Sequence, residues 1–228
     1  MWWFSIALAH GLALAEAPPS PQNARGAIEG RVDVRLPSST PRSRPTVRES
    51  AVHGRRGVPD RRQSVVYLET APQGAFEEAP RTRPVLDQRR ETFVPYVLPV
   101  RVGTTVAFPN SDPFYHNVFS LSKTARFDLG RYPMGESKSV RFERPGIVRV
   151  FCEIHSHMSA FVLVLSHQYF AATASDGRYR IEGVPPGEYD VVVWTDGEER
   201  GKKRVRVGPG ATAELDFVVE PARTAGED

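Results

Sequence analysis

The hydrophobic positions of this chain recur mainly with a period of two residues, which is typical of half-buried β-strands. The alternation is clearest from Ile28 to Leu36, where apolar side chains hold the even positions around Gly30. Pairs that favour tight turns, such as Pro145-Gly146 and Asp176-Gly177, separate the apolar segments from one another. Further strands are predicted at 65–68, 97–102, 106–108, 140–142, 147–151, 161–165, 179–181, 189–194, 205–207 and 215–217. The sequence therefore predicts an all-β fold of antiparallel sandwiches or barrels.

Composition agrees with a globular protein rich in strands. Hydrophobic residues make up 40% of the 228 positions, and 20 prolines and 18 glycines disfavour long helices. The formal net charge of +3 is uneven, because the segment from Arg42 to Arg62 holds seven arginines against two acidic residues. We interpret this segment as a solvated basic loop, with a docking site for an acidic partner as the alternative. No nucleic-acid-binding motif accompanies it, so no nucleic-acid partner is expected.

The first 17 residues are mostly apolar and small, and Ala13-Leu14-Ala15 fits the cleavage pattern of a secretory signal. No lysine or arginine precedes Arg25, which departs from the usual signal. We therefore expect residues 1–17 to be a signal peptide or a retained N-terminal anchor, and the protein to be exported or periplasmic. A buried helix is the alternative. No other apolar run is long enough to cross a membrane, so no further membrane contact is expected.

The chemically informative segment is 152–158, which reads Cys-Glu-Ile-His-Ser-His-Met and joins two predicted strands. Cys152, His155 and Met158 thus lie on one short loop that could wrap a single ion. Thiolate and thioether are soft ligands and imidazole is intermediate, a mixture that suits copper better than magnesium or calcium. His116 lies 36 residues before the cysteine and is the best candidate for a fourth ligand. Because Cys152 is the single cysteine, it forms no intrachain disulfide, and metal ligation would explain a lone thiol in an exported protein.

Each of these residues has an ordinary structural explanation when it is taken alone. Met158 could pack in the core, Cys152 could be an inert buried thiol, and His116 could be a core histidine. Zinc is the rival metal, since one cysteine and two histidines can bind it, but zinc rarely takes a thioether ligand. A cysteine–histidine nucleophile would need an orienting Asn or Asp in a recognisable context, so no enzymatic activity is expected.

The other histidines of the chain are not predicted ligands. His157 alternates away from His155 and is expected to face solvent, and His53 and His167 are expected at the surface. Glu153 is expected to be a solvated carboxylate, with part of a partner-docking surface as the alternative.

Residues 83–166 resemble the cupredoxins, the small blue copper proteins. The similarity lies in Cys-x-x-His-x-x-Met at 152–158, in His-Asn-Val at 116–118, and in the segments 93–95 and 103–110. The short ligand loop is most similar to that of amicyanin. The whole chain also resembles plastocyanin-like proteins that are often labelled methylamine-utilisation proteins.

The resemblance implies a Greek-key sandwich that holds one type 1 copper ion. His116 and His155 would be the imidazole ligands, Cys152 the thiolate and Met158 the axial thioether. Asn117 would tie the two ligand-bearing loops together through hydrogen bonds.

Residues 169–220 resemble a different β-sandwich, the transthyretin-like or carboxypeptidase-regulatory type. The similarity is clearest from Thr173 to Val193. Members usually begin with two strands that here appear far upstream, at 30–32 and 65–68, so we hypothesise that the cupredoxin domain is inserted into the transthyretin-like one. The predicted organisation is a signal or anchor at 1–17, the first transthyretin-like strands at 26–82 with the Arg-rich loop at 37–63, the cupredoxin domain at 83–166, the remaining transthyretin-like strands at 167–220 and a tail at 221–228.

These inferences together predict an electron carrier of the cell envelope. A single type 1 copper ion would exchange one electron with an unidentified redox-partner protein, with His155 as the exit. Two alternatives remain open: a copper carrier or storage protein with the same ligands, and an envelope interaction module with a vestigial metal site. Five apolar residues are expected to surround the metal and tune its potential: Phe108, Phe119, Phe151, Ile154 and Phe161.

Overall fold

The computed structural model describes residues 24–35, 63–72 and 83–220. The expectations for the N-terminal signal or anchor, for His53, for most of the Arg-rich loop and for the C-terminal tail lie outside these residues. Within the described ranges, no helix is long and apolar enough to cross a membrane.

The described residues form seventeen β-strands. They are β1 (Gly26–Val34), β2 (Ser64–Leu68), β3 (Asp87–Gln88), β4 (Phe93–Val94), β5 (Val97–Arg101), β6 (Thr104–Pro109), β7 (His116–Leu121), β8 (Arg126–Tyr132), β9 (Ser137–Phe142), β10 (Gly146–Phe151), β11 (Ser159–Leu165), β12 (Phe170–Ala172), β13 (Arg178–Val184), β14 (Gly187–Thr195), β15 (Glu198–Val207), β16 (Thr212–Glu214) and β17 (Phe217–Val219). The predicted all-β fold is confirmed.

Strands β3–β11 form one β-sandwich, here called sandwich A. Its main sheet has five strands in the order β5-β11-β10-β7-β8, and β6 pairs with β9 in the other layer. The hairpin β3-β4 continues that layer through isolated bridges from Val85 to Ala107 and from Gln88 to Asn110. β5 runs parallel to β11. A parallel pair cannot be joined by a tight turn, so the chain crosses the rest of sandwich A before it returns to this pairing.

The core of sandwich A follows from the alternation along its strands. In β6, Thr104, Val106 and Phe108 are buried, and the residues between them are half-buried. The buried apolar cluster consists of Leu86, Phe93, Val100, Val106, Phe108, Val118, Tyr132, Phe142, Val148, Val150, Cys152, Met158, Ala160, Val162 and Val164. Because Cys152 and Met158 both belong to this cluster, the loop between them closes over one end of the core.

The remaining strands form a second sandwich, sandwich B, from two separated parts of the chain. One sheet has the order β13-β1-β16, with β17 also paired to β1, and the other has the order β12-β2-β14-β15. β2 therefore pairs with β12 and β14 rather than with the sheet of sandwich A, and this is the pairing on which the insertion hypothesis depends. Along the chain, β3–β11 lie between β2 and β12, so sandwich A interrupts sandwich B. The buried core of sandwich B consists of Ile28, Val32, Val66, Leu68, Tyr169, Tyr179, Ile181, Val184, Val191, Val193, Val207, Phe217 and Val219.

β11 is buried on both faces, which explains its continuous apolar run. Val162 and Val164 belong to the core of sandwich A, whereas Phe161 and Leu163 belong to a separate cluster with Trp194 of β14. The rings of Phe161 and Trp194 lie 5.0 Å apart in an edge-to-face arrangement. This cluster is the apolar interface between the two sandwiches. Phe161, expected near the metal, therefore packs in this interface instead.

His167 is buried, so the expectation of a surface position is wrong. The residue is 3% exposed, and its Nε2 lies 2.9 Å from the carbonyl oxygen of Leu68. The backbone N–H of Tyr169 donates to Nδ1 over 3.2 Å. Because Nδ1 accepts a hydrogen bond, Nε2 carries the proton, and the neutral imidazole satisfies both contacts. Burial lowers the pKa of His167 below its ordinary value.

We expect His167 to make the stability of the protein depend on pH. Below about pH 6.5, the unfolded chain takes up a proton at this residue that the folded protein resists, so the free energy of unfolding falls. At higher pH His167 is neutral in both the folded and the unfolded state, and its full contribution to the free energy of unfolding is present. When the pH is lowered from about 7.5 to about 5.5, the free energy of unfolding should fall less in His167→Gln than in the wild type, by up to about 1.4 kcal/mol per pH unit. Urea unfolding at the two pH values measures this difference. Equal losses in the two proteins would contradict the prediction.

Gly30 lets β1 pass close to the segment between β16 and β17. A Cβ atom at Gly30 would lie 2.1 Å from the carbonyl oxygen of Leu215, a backbone atom that cannot rotate away. We expect Gly30→Ala to destabilise sandwich B by about 1–3 kcal/mol, the usual cost of overpacking. Gly208→Ala is the matched control, because among the described residues its Cβ would meet just the side chain of Ala211, at an ordinary contact distance of 3.5 Å. Urea unfolding midpoints compare the two variants, and equal midpoints would refute the prediction.

Candidate metal centre

The four predicted ligands lie at one end of sandwich A, where strands β7, β10 and β11 begin or end. His116 is the first residue of β7, and Cys152 follows the last residue of β10. β7 and β10 are antiparallel neighbours, with Phe119 opposite Phe151. This register brings the start of β7 beside the loop 152–158, although 36 residues separate the histidine from the cysteine.

Three of the predicted ligands converge at this end. Nδ1 of His116 lies 3.7 Å from Sγ of Cys152, Nδ1 of His155 lies 3.8 Å from the same sulfur, and the two nitrogens are 3.0 Å apart. Donor atoms that share one ion, with bonds of about 2.0 Å to nitrogen and about 2.3 Å to sulfur, are separated by about 3–4 Å. The three donor atoms therefore have the spacing of ligands to a single ion. His116 and Cys152 are buried, and His155 is half-buried.

The side chain of Met158 lies on the side of the ligand loop that faces the core of sandwich A. The residue is 1% exposed and packs in the same cluster as Cys152. The backbone N–H of Cys152 donates to the carbonyl oxygen of Met158 over 3.3 Å, and the N–H of Met158 donates to the carbonyl oxygen of His155 over 2.9 Å. These two bonds fold the loop back on itself between β10 and β11. The role of the Met158 thioether as a ligand stays a prediction.

Asn117 links the start of β7 to the ligand loop. It is 1% exposed, and its Oδ1 accepts a hydrogen bond of 2.6 Å from the backbone N–H of Glu153. This is the kind of link between the two segments that the cupredoxin resemblance implies. Glu153 itself is exposed and forms a surface ion pair of 2.9 Å with Arg131.

The environment of Cys152 favours a thiolate. Burial alone would raise the pKa of its thiol, but hydrogen bonds from His116 and from backbone N–H groups, including that of Asn117, hold the pKa below its ordinary value. Burial opposes protonation of His116, yet its contacts with Cys152 and Asp112 raise its pKa. The pKa of His155 is lowered by burial and by the neighbouring His116. A thiolate beside two imidazoles can therefore form here, and such a set of donors attracts a cation.

A buried carboxylate that sequence reasoning missed lies behind His116. Asp112 is 4% exposed, and its Oδ2 lies 2.9 Å from Nε2 of His116. It accepts hydrogen bonds from the backbone N–H groups of Arg90 at 2.5 Å and Glu91 at 2.8 Å. Burial works to raise the pKa of Asp112, but the bonds from Glu91 and His116 hold it below its ordinary value. The sequence offered only an Asp four residues before a His, a spacing too common to indicate a contact.

Arg90 and Glu91 form the tip of the β3-β4 hairpin. Their φ angles are 56° and 53°, in the left-handed region that costs a non-glycine residue roughly 1–2 kcal/mol. Two such residues in succession are typical of a tight hairpin turn, and the N–H of Arg89 donates to the carbonyl oxygen of Thr92 over 2.9 Å. Both N–H groups of the tip reach Asp112, so the conformation of the turn is coupled to the carboxylate behind His116.

Glu91 also contacts the ligand loop. Its Oε2 lies 3.2 Å from Nε2 of His157. The side chain of Glu91 is 4% exposed, and that of His157 is 38% exposed. His157 is thus exposed on one side and held by Glu91 on the other. It does not belong to the cluster of three donors formed by His116, Cys152 and His155. The hairpin tip therefore touches both segments that carry the predicted ligands.

Phe114 is an aromatic neighbour of the site that sequence reasoning did not single out. Its ring centroid lies 5.2 Å from that of His116 and 5.5 Å from that of His155, so it packs against both imidazoles. Among the apolar residues expected near the metal, Phe108 is buried in the core of sandwich A. Ile154 is 40% exposed and lies on the outer side of the ligand loop.

Comparison with known sequences relates the C-terminal part of the chain to one family. Residues 158–220 match the model of the carboxypeptidase regulatory-like domain. This range holds β11 and the strands β12–β17 of sandwich B. No curated protein sequence matches the chain.

Solved structures similar to the chain include cupredoxins and a copper enzyme. An amicyanin in its Cu(I) form is 22% identical, with 44% of this chain and 98% of the amicyanin covered at a TM-score of 0.35. A purple cupredoxin from Nitrosopumilus maritimus is 23% identical, with 41% of this chain and 94% of that protein covered at a TM-score of 0.31. A copper-containing nitrite reductase from Thermus scotoductus is 25% identical over 42% of this chain at a TM-score of 0.36, and the chain spans 25% of the enzyme's length. The comparisons thus name a carboxypeptidase regulatory-like domain and cupredoxins, the two kinds of β-sandwich that the sequence resembles.

We expect the Asn117 side chain to stabilise the ligand loop. Asn117→Ala leaves the N–H of Glu153 without its acceptor, which should lower the free energy of unfolding by about 1–3 kcal/mol. Ser122→Ala is the matched control, because it removes a comparable bond of 2.9 Å from the N–H of Arg149 at an exposed position. Urea unfolding of both variants measures the difference, and equal effects would show that Asn117 has no special role.

Proposed function

We propose that this protein is an exported electron carrier that binds one copper ion through His116, Cys152, His155 and Met158. The observation that carries the proposal is the convergence of Sγ of Cys152 with two imidazole Nδ1 atoms at one end of sandwich A. A thiolate, two imidazoles and a weak axial thioether form the donor set of blue-copper electron-transfer sites. Zinc could use the first three donors, but it rarely takes a thioether, so Met158 would have no role as a ligand.

A bound copper ion would supply one-electron chemistry by alternating between Cu(I) and Cu(II). The contribution of the protein is to hold the donors in one arrangement. Cys152 and Met158 pack in the core of sandwich A, and Asn117 links the ligand loop to β7. Donors that are fixed in this way move little when the charge of the ion changes, which favours rapid electron exchange.

His155 is the proposed point at which electrons enter and leave. It is half-buried, whereas His116 is fully buried, so an approaching redox partner reaches the imidazole of His155 first. The exposed side chain of Ile154 lies next to it in the loop and adds apolar contact surface. The proposed partner is another redox protein of the cell envelope, which accepts or donates the electron.

Addition of one equivalent of Cu(II) to the purified protein should produce an intense visible absorption band from the thiolate-to-copper transition. Cys152→Ser should abolish the band, because it removes the thiolate. Met158→Leu should keep the band and raise the reduction potential, because the axial ligand tunes the couple. Ser156→Ala, at an exposed position of the same loop, is the control and should change neither property.

Voltammetry of the copper-loaded protein separates electron transfer from copper storage. Fast and reversible exchange supports the carrier proposal, whereas slow exchange with easy metal loss would favour storage. A wild-type protein with no band and no tightly bound copper would overturn the proposed ligand set.

A further inference from the structure

Asp112 contacts a proposed metal ligand on the side away from the other donors. Nδ1 of His116 faces Cys152 and His155, while Nε2 of the same ring lies 2.9 Å from Oδ2 of Asp112. An ionised carboxylate only accepts hydrogen bonds, so Nε2 carries the proton. When the His116 ring is neutral, Nδ1 is then left with a lone pair directed at the donor cluster, which is the tautomer that can bind a metal ion.

We propose that Asp112 is a positioning residue for the metal site. It fixes the Nε2–H tautomer and the ring orientation of His116, and it places a negative charge behind this ligand that favours the higher oxidation state of the ion. The inference rests on the metal site proposed above.

The carboxylate is itself held in place by several backbone and side-chain groups. The N–H groups of Arg90 and Glu91 both donate to it from the hairpin tip. The backbone N–H of Asp112 donates to Oδ1 of Asn110 over 2.9 Å, and Nδ2 of Asn110 donates to the carbonyl oxygen of Phe114 over 2.8 Å. A surface carboxylate could turn towards water, but this one is buried and has its orientation fixed. Groups that hold a ligand from behind in this way orient metal-binding histidines and raise their basicity.

The charge of Asp112 has a separate effect from its hydrogen bond. A negative charge near the site attracts a doubly charged ion more strongly than a singly charged one, and burial weakens the screening of this attraction. Asp112 should therefore strengthen the binding of Cu(II) relative to that of Cu(I). We expect a change of about tenfold in that ratio, which corresponds to about 59 mV in a one-electron potential.

Three variants of the full chain separate these effects. Asp112→Ala removes both the hydrogen bond and the charge, and Asp112→Asn removes the charge while it keeps an oxygen that can accept from Nε2. Asp128→Asn is the matched control, because this exposed carboxylate lies on the adjacent strand β8 and, within the described residues, accepts a local hydrogen bond from the N–H of Gly130 alone. Thermal unfolding first shows whether each variant is folded.

The tautomer is read from the imidazole nitrogen chemical shifts of 15N-histidine-labelled, metal-free protein at a pH high enough for the His116 ring to be neutral. Burial opposes protonation of this ring, but its contacts with Cys152 and Asp112 raise its pKa, so the pH is increased until the His116 shifts no longer change. We expect the Nε2–H form of His116 in the wild type, in Asp112→Asn and in Asp128→Asn, and a mixture of tautomers in Asp112→Ala. Zn(II) affinity, measured by competition with a chelator, should fall about 10–100-fold in Asp112→Ala and should be unchanged in Asp128→Asn. Both readouts are independent of copper redox chemistry.

The reduction potential of the copper-loaded protein tests the charge. We expect it to rise by about 59 mV in Asp112→Asn, with the thiolate band retained, and to stay constant in Asp128→Asn. An unchanged potential would overturn the role of the charge, and an unchanged His116 tautomer and Zn(II) affinity in Asp112→Ala would overturn the positioning role. If Asp112→Ala does not fold, the isosteric Asp112→Asn decides: an unchanged potential together with an unchanged Zn(II) affinity in this variant would overturn the proposal. If the wild type gives no thiolate band, the electron-carrier proposal fails, and the tautomer and the Zn(II) affinity still decide whether Asp112 positions His116.

Discussion

The burial of β11 on both faces is the packing constraint on which the rest of the molecule depends. Alternate side chains of this seven-residue strand enter the core of sandwich A and the interface with sandwich B. Full burial of one apolar side chain contributes about 1.5–3 kcal/mol, so a strand covered on two sides contributes heavily to both structures. Met158 immediately precedes β11, and the same packing therefore fixes one end of the ligand loop.

The parts of the candidate site that could be predicted from the sequence are those encoded locally. Cys152, His155 and Met158 lie within one short segment between two apolar runs, so a loop carrying these donors follows directly from the pattern. His116 is different, because only the pairing of β7 with β10 brings it to the loop. Its residue type and its position 36 residues before the cysteine make it the best candidate for a fourth ligand, and the cupredoxin resemblance implies the same role.

The features that sequence reasoning missed are set by contacts between distant segments. Asp112 meets the hairpin tip at Glu91, 21 residues away, and that tip has no glycine or asparagine to reveal a left-handed turn. His167 is buried against the carbonyl group of Leu68, 99 residues away. Phe161 lies in a run that is apolar throughout, and such a run does not indicate which neighbour covers which face. Contacts of this kind leave no periodic signal in the sequence.

The interruption of sandwich B by sandwich A has a consequence for how the metal site meets other molecules. A domain attached through one linker can swing, but sandwich A leaves and re-enters the same neighbour and also packs on it through Phe161 and Trp194. The ligand loop therefore keeps one orientation relative to sandwich B. If the protein carries electrons as proposed, a redox partner that binds sandwich B would lie at a fixed distance from the imidazole edge of His155. Sandwich B would then act as a spacer that sets the distance between the metal site and the partner's redox centre.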